Sequence, residues 1–151
     1  MPQSLASVLV HIVFSTKERR ALLQNHDLRM EMHRYIAGIA KTLECPAVIV
    51  GGAADHVHLL ATQSRTIALA EWVKEMKRAS SLWAKERSPQ WGVFQWQAGY
   101  GAFSVSRSQK ERVREYIASQ DNHHRQVSFQ DELRQLLQKH EIAFNEQYIW
   151  D

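Results

Sequence analysis

A single cysteine, Cys45, among 151 residues leaves no partner for an internal disulfide and no set of thiolates for a structural zinc cage. It stands between Glu44 and Pro46, at an expected helix-to-strand junction with no neighbour that would activate a thiol, and is read as structural. Three prolines and six glycines are too few and too scattered for a linker, and the chain shows neither repeats nor low-complexity stretches. No apolar run approaches membrane-spanning length and no signal-peptide pattern opens the chain, so a soluble, cytoplasmic protein is expected. A chain of this length has room for one core, so one domain is expected over residues 1–151. The formal charge of +3 and the sequence pI of about 9.2 permit nucleic-acid binding without demanding it; a surface of mixed charges would look similar.

The elements follow from pattern. Val8 to Ser15 is a β-branched run and reads as a strand. Leu28, Met32, Tyr35, Ile36, Ile39 and Leu43 form a helical stripe between Asp27 and Leu43. Ala47 to Val50 is a short strand, joined through an expected glycine turn, Gly51 to Asp55, to a strand from His56 to Thr62. A second long helix begins near Thr66 with Leu69, Trp72, Val73, Met76, Ser80 and Trp83 on one face, and its large side chains read as core, not as base-stacking platforms. Ser88-Pro89 interrupts before strands in the Trp96 to Val105 region. A further helix follows over 108–124, opened by Ser108 and Glu111 as a capping box, and a last one runs from Ser128 to about His140. The order β-α-β-β-α-β with helices appended at the C-terminus predicts an α+β fold, a ferredoxin-like split βαβ sandwich with an antiparallel sheet.

Within that frame His56-Val57-His58 is the most informative feature. Alternate strand residues share a face, so the two imidazoles project together, roughly 6–7 Å apart at their bases, while Val57 and Leu59 enter the core. Both could reach one cation; half-exposed strand histidines would give the same pattern. On the 108–124 helix, Val113, Tyr116, Ile117, Gln120, His123 and His124 fall on one stripe, with Glu111, Arg114, Glu115, Ala118 and Asn122 opposite. That turns a tyrosine, a glutamine and one or two histidines inward. The alternative is a half-buried tyrosine with a solvated hydroxyl.

His56-Val57-His58 followed some sixty residues later by Tyr116-x-x-x-Gln120 on a helix resembles the small single-tyrosine HUH transposases, the IS200-like enzymes of insertion sequences that move as single-stranded DNA. The resemblance runs in order along nearly the whole chain. Val10 to Arg20 looks like the first strand and basic turn, Gly51 to Leu60 the metal strand, Phe94 to Ser106 the last core strand pair, and Arg114 to His124 the nucleophile helix. It divides the domain into a core, 8–106, a nucleophile helix, 108–124, and a C-terminal helix, 128–140. It implies a DNA transposase with Tyr116 as nucleophile, a 5′-phosphotyrosine intermediate and a freed 3′-hydroxyl that later rejoins strands. It also implies single-stranded DNA with hairpin ends as substrate, and a homodimer in which the tyrosine helix can serve the partner's histidine pair.

A tyrosine hydroxyl with an ordinary pKa near 10 is a poor nucleophile at neutral pH. A divalent cation on His56, His58 and Gln120 would polarise and orient the scissile phosphate. Two imidazoles and an amide oxygen leave positions open, which suits Mg²⁺ or Mn²⁺. His123 and His124 could lie behind this set or cap the helix C-terminus. Tyr100, between Gly99 and Gly101, is the rival nucleophile, but no ligand-type residue sits at helical spacing from it. Lys17, Arg19, Arg20, Lys77, Arg78 and Arg107 are candidate DNA contacts, or a solvated surface. One departure from relatives is Ser119, where asparagine is often found; it faces away from the stripe. Two other functions stay open: a domesticated relative that binds hairpin nucleic acid without moving it, and a metal-dependent phosphoesterase that uses water. A replication-initiation nickase shares the chemistry but usually brings further domains.

Overall fold

The computed structural model describes residues 2–120 and 127–151. Four strands, β1 (Leu9–Ser15), β2 (Ala47–Ala53), β3 (His56–Thr62) and β4 (Gly101–Val105), form one antiparallel sheet in the order β2-β3-β1-β4. Helices α1 (His26–Thr42) and α2 (Leu69–Arg87) connect β1 to β2 and β3 to β4. Each connection skips over one intervening strand, which is the split βαβ arrangement expected from the sequence. Helices α3 (Lys110–Ala118) and α4 (Phe129–Lys139) follow. None of the described helices is long and apolar enough to cross a membrane.

The sheet is covered on both faces, and the strand alternation sorts residues between two cores. Val10, Ile12 and Phe14 of β1 and Val57, Leu59 and Ala61 of β3 face α1 and α2, where they meet Met32, Ile36, Trp72, Val73 and Met76. Cys45 lies buried at the edge of this core, and burial raises its thiol pKa. On the other face Val13 and Phe103 pack with Phe129, Leu133 and Leu137 of α4. β3 pairs with β1 so that Val13 opposes His58 and Ser15 opposes His56. Both histidines therefore lie on the second face, beneath α3 and α4.

Three local expectations are corrected. The glycines of Gly51-Gly52 are not in a turn: β2 runs on to Ala53, pairing Gly51 with His58 and Gly52 with Val57, and only Ala54 and Asp55 turn the chain. Close approach explains them. A Cβ on Gly51 would stand 2.7 Å from the Ile117 carbonyl oxygen of α3, and Gly52 has φ of 155° with the His56 carbonyl 2.3 Å from its Cβ position. Next, the 94–106 stretch yields one strand instead of a pair. Trp96 makes a single bridge to Thr16, and the carbonyls of Gln97, Ala98 and Gly99 accept from the Lys77 ammonium at 2.8, 3.3 and 2.6 Å. Carbonyls turned to a cation cannot ladder with a neighbouring strand. Last, the Ser108–Glu111 capping box does not form. The chain enters α3 through a 3₁₀ turn at Arg107–Gln109, Ser108 Oγ lies 3.1 Å from Ser106 Oγ, and Glu111 pairs with Arg114 at 2.9 Å. Helix α4 does carry its expected cap, Ser128 Oγ accepting from Asp131 N at 3.1 Å.

Gly51 is thus the contact that sets how closely α3 lies on the sheet. Gly51→Ala is expected to destabilise the fold by about 2 kcal/mol, lowering Tm by roughly 4–8 °C. Gly38→Ala, in exposed helix interior with nothing within 4 Å of its Cβ position, is expected to raise Tm through helix propensity. Thermal unfolding followed by circular dichroism checks both signs.

Candidate active site

His56 and His58 are fully buried, and their Nε2 atoms point at side chains of Gln120, two residues beyond the end of α3, and of Glu132 on α4. His56 Nε2 is 3.1 Å from Gln120 Oε1 and 3.5 Å from Glu132 Oε1, while His58 Nε2 is 2.9 Å from Glu132 Oε1. Tyr116 donates its hydroxyl to Glu132 Oε2. Gln120 Nε2 donates to the same oxygen at 3.1 Å and to the Tyr116 carbonyl at 3.3 Å, which leaves its Oε1 aimed at His56. His56, His58 and Glu132 each offer a ligand atom, all within 4.8 Å of one another.

The outer ring nitrogens are also fixed. His56 Nδ1 lies 2.7 Å from Asp55 Oδ1, so it carries a proton toward the carboxylate and frees Nε2 as a lone-pair donor. His58 Nδ1 lies 2.7 Å from His11 Nε2, and the two rings stack 5.0 Å apart. His11, on the same face of β1, is 4 % exposed. Burial, with the neighbouring His58 second, pushes its pKa down to about 3, so it is neutral and can accept a proton from His58. Burial first, and then the Glu132 charge, raise the Tyr116 pKa, so its hydroxyl is protonated at neutral pH.

The four donor atoms suit a small divalent cation. In octahedral geometry with metal–oxygen bonds of about 2.1 Å, adjacent donors stand about 3 Å apart, close to the separations above. Two imidazoles, a carboxylate and an amide oxygen also leave positions for phosphate and water.

Sequence reasoning missed one of these donors, Glu132, and one residue behind them, His11. Glu132 is 1 % exposed and sits on the apolar stripe Phe129, Leu133, Leu136 and Leu137 of α4; a carboxylate at that spacing was the signal. His11 falls in register with Leu9 and Val13 on the histidine face. The expected Tyr116 and Gln120 stand against the His pair of their own chain, so these groups meet within one chain. Ser119 is exposed, turned away from it. His123 and His124 lie outside the described residues. Tyr100 is part exposed, 5.8 Å from Lys77 Nζ by its ring, and is not among these groups.

The candidate DNA contacts divide between places. Lys17, Lys77 and Arg78 line one groove with Lys85, Trp96 and Trp150, and Lys17 and Arg20 line a smaller one beside it. Lys77 is committed to its three carbonyls, and burial lowers its pKa to about 8. Arg19 lies over the Trp150 ring at 5.6 Å, and Arg107 reaches Ser7 Oγ at 3.4 Å. None of the six lines the cavity that opens on Tyr116; Arg112 and Lys139 do.

Comparison with known proteins bears on the fold and the family. The chain resembles the crystal structure of a protein assigned as a transposase from Deinococcus radiodurans R1, with TM-score 0.62 and 22% identity over 80% of this chain and 95% of that one. It also resembles a REP-associated tyrosine transposase bound to a REP hairpin, with TM-score 0.59 and 14% identity over 84% of this chain and 74% of that one. At these identities the likeness establishes the fold. No curated protein matches the chain significantly. The family profile described as "Transposase IS200 like" matches residues 4–120, taking in the histidine pair, Tyr116 and Gln120 and stopping short of Glu132; the chain belongs to the IS200-like transposase family.

Proposed function

We propose that this transposase cuts and rejoins single-stranded DNA through Tyr116, with a divalent cation, Mg²⁺ or Mn²⁺, held by His56, His58, Gln120 and Glu132. The observation that carries the reading is the meeting of the Tyr116 hydroxyl with the buried His–His–Glu–Gln donor set on one carboxylate, Glu132. When bound, the cation would draw charge from a non-bridging oxygen of the scissile phosphate and fix its orientation. The chain's own groups supply the rest. Tyr116 Oη gives its proton to Glu132 Oε2 as it attacks phosphorus; the bond to the 3′ oxygen breaks, and that oxygen leaves as a hydroxyl with a proton taken from solvent water. The 5′ end stays on Tyr116 as a phosphotyrosine, which conserves the phosphodiester bond energy for rejoining by a 3′-hydroxyl. Asp55 and His11 hold the two imidazoles in the tautomer that keeps Nε2 unprotonated.

The hairpin ends expected of the substrate have support in the solved relative bound to a REP hairpin. A dimer that exchanges the tyrosine helix would remake between chains the contacts that Tyr116 and Gln120 make within one.

Incubation with Mg²⁺ or Mn²⁺ and single-stranded oligonucleotides from the gene's flanks tests the function. A denaturation-resistant protein–DNA adduct is expected, absent with chelator and absent in Tyr116→Phe. Cleavage without an adduct would replace it with a water-using phosphoesterase. Isothermal titration with Mn²⁺ tests the site separately: His11→Phe is expected to weaken binding roughly 10- to 100-fold while leaving every proposed ligand in place. Glu132→Gln is expected to weaken it at least as much, because it removes the only charged donor.

A further inference from the structure

We propose that the cavity beside Tyr116 seats one unstacked nucleobase of the single-stranded substrate, adjacent to the phosphate that Tyr116 attacks. The proposal rests on the reading of Tyr116 as the nucleophile.

The cavity has a volume of about 560 Å³, within the range of roughly 300–1,000 Å³ in which small-molecule sites fall. It opens on the Tyr116 ring and on Glu132 between β4, α3 and α4. A group seated in it would therefore lie beside the phosphate at the Tyr116 hydroxyl. Its inner surface is built of rings. His11 and Phe103 meet edge to face at 6.0 Å, His11 and Tyr116 at 6.3 Å, and His140 stacks on Phe103 at 4.7 Å with the planes 27° apart. Val113 and Leu136 add apolar wall. Such a surface suits a flat heteroaromatic group, and every base offers a π-face to it.

The remaining lining argues for a nucleotide over a neutral apolar ligand. Gln109 and Gln135, both exposed, bring amide groups able to pair with the polar edge of a base. Arg112 and Lys139 bring two cations that make no ion pair among the described residues, placed to meet the phosphates on either side. Aromatic floor, amide rim and paired cations are the combination by which proteins hold single strands: stacking for the base and charge for the backbone.

The test uses Tyr116→Phe protein, which binds without cutting, and random-sequence single-stranded 20-mers carrying 4-thiothymidine. After irradiation, crosslinked peptides are identified by mass spectrometry. Crosslinks are expected on Phe103, Leu136 or His140, and Gln135→Trp, which fills the cavity from its exposed rim, is expected to remove them and to weaken binding roughly ten- to a hundred-fold. Arg112→Ala is expected to keep the crosslinks while lowering the salt dependence of binding by about one unit of slope. Crosslinks confined to other surfaces, none at all, or crosslinks untouched by Gln135→Trp would overturn the proposal. Cavity crosslinks in a protein whose unmutated form never yields an adduct would uphold the base site and overturn the nucleophile reading. An adduct without cavity crosslinks would do the reverse.

Discussion

One carboxylate organises this molecule's second core. Glu132 accepts from the Tyr116 hydroxyl and from the Gln120 amide, and lies against both strand histidines. A carboxylate at 1 % exposure costs several kcal/mol unless its oxygens are satisfied, and here the groups that satisfy it are those to which the proposed function gives the chemistry. The same contacts tie α3 and α4 to the sheet. Positioning of the helix that carries the tyrosine and stabilisation of the buried charge are therefore one problem with one solution.

That solution depends on register. Because β3 pairs with β1 so that Val13 opposes His58, both histidines share a face with His11, and a slip of one residue would bury Val57 and Leu59 there instead. Gly51 then lets the backbone of α3 come down onto β2, with the Ile117 carbonyl where a side chain would begin. From that height Tyr116 reaches Glu132 and Gln120 reaches His56 Nε2. The first face of the sheet, packed by α1 and α2 around Trp72 and Met76, makes no direct contribution to this chemistry; it supplies the rigid floor on which sub-ångström placement is possible.

Much of this was legible in the sequence. The split βαβ order followed from the apolar patterns of the strands and long helices, and the spacing of His56, His58, Tyr116 and Gln120 carried the family resemblance that singled them out. Other features were hidden for physical reasons. Glu132 sits in the first turn of α4, where an acidic residue is ordinarily explained by the helix dipole, so its place on the apolar stripe drew no attention. His11 lies in a strand buried on both faces, where alternation loses its contrast. Gly51-Gly52 has the composition of a turn but serves close approach. The stretch around Gln97 has strand-like aromatics, yet its carbonyls serve the Lys77 ammonium, a contact across 20 residues that no local pattern encodes.

The central claim is that one chain gathers two imidazole nitrogens and a carboxylate on a single cation. Pulsed electron paramagnetic resonance of Mn²⁺ added to the protein tests it most directly, because coupling to ligand nitrogen counts the imidazoles. The account predicts one Mn²⁺ per chain coupled to two histidine nitrogens, reduced to one in His56→Ala or His58→Ala. A bound Mn²⁺ with no nitrogen coupling, or coupling unaffected by either substitution, would contradict it.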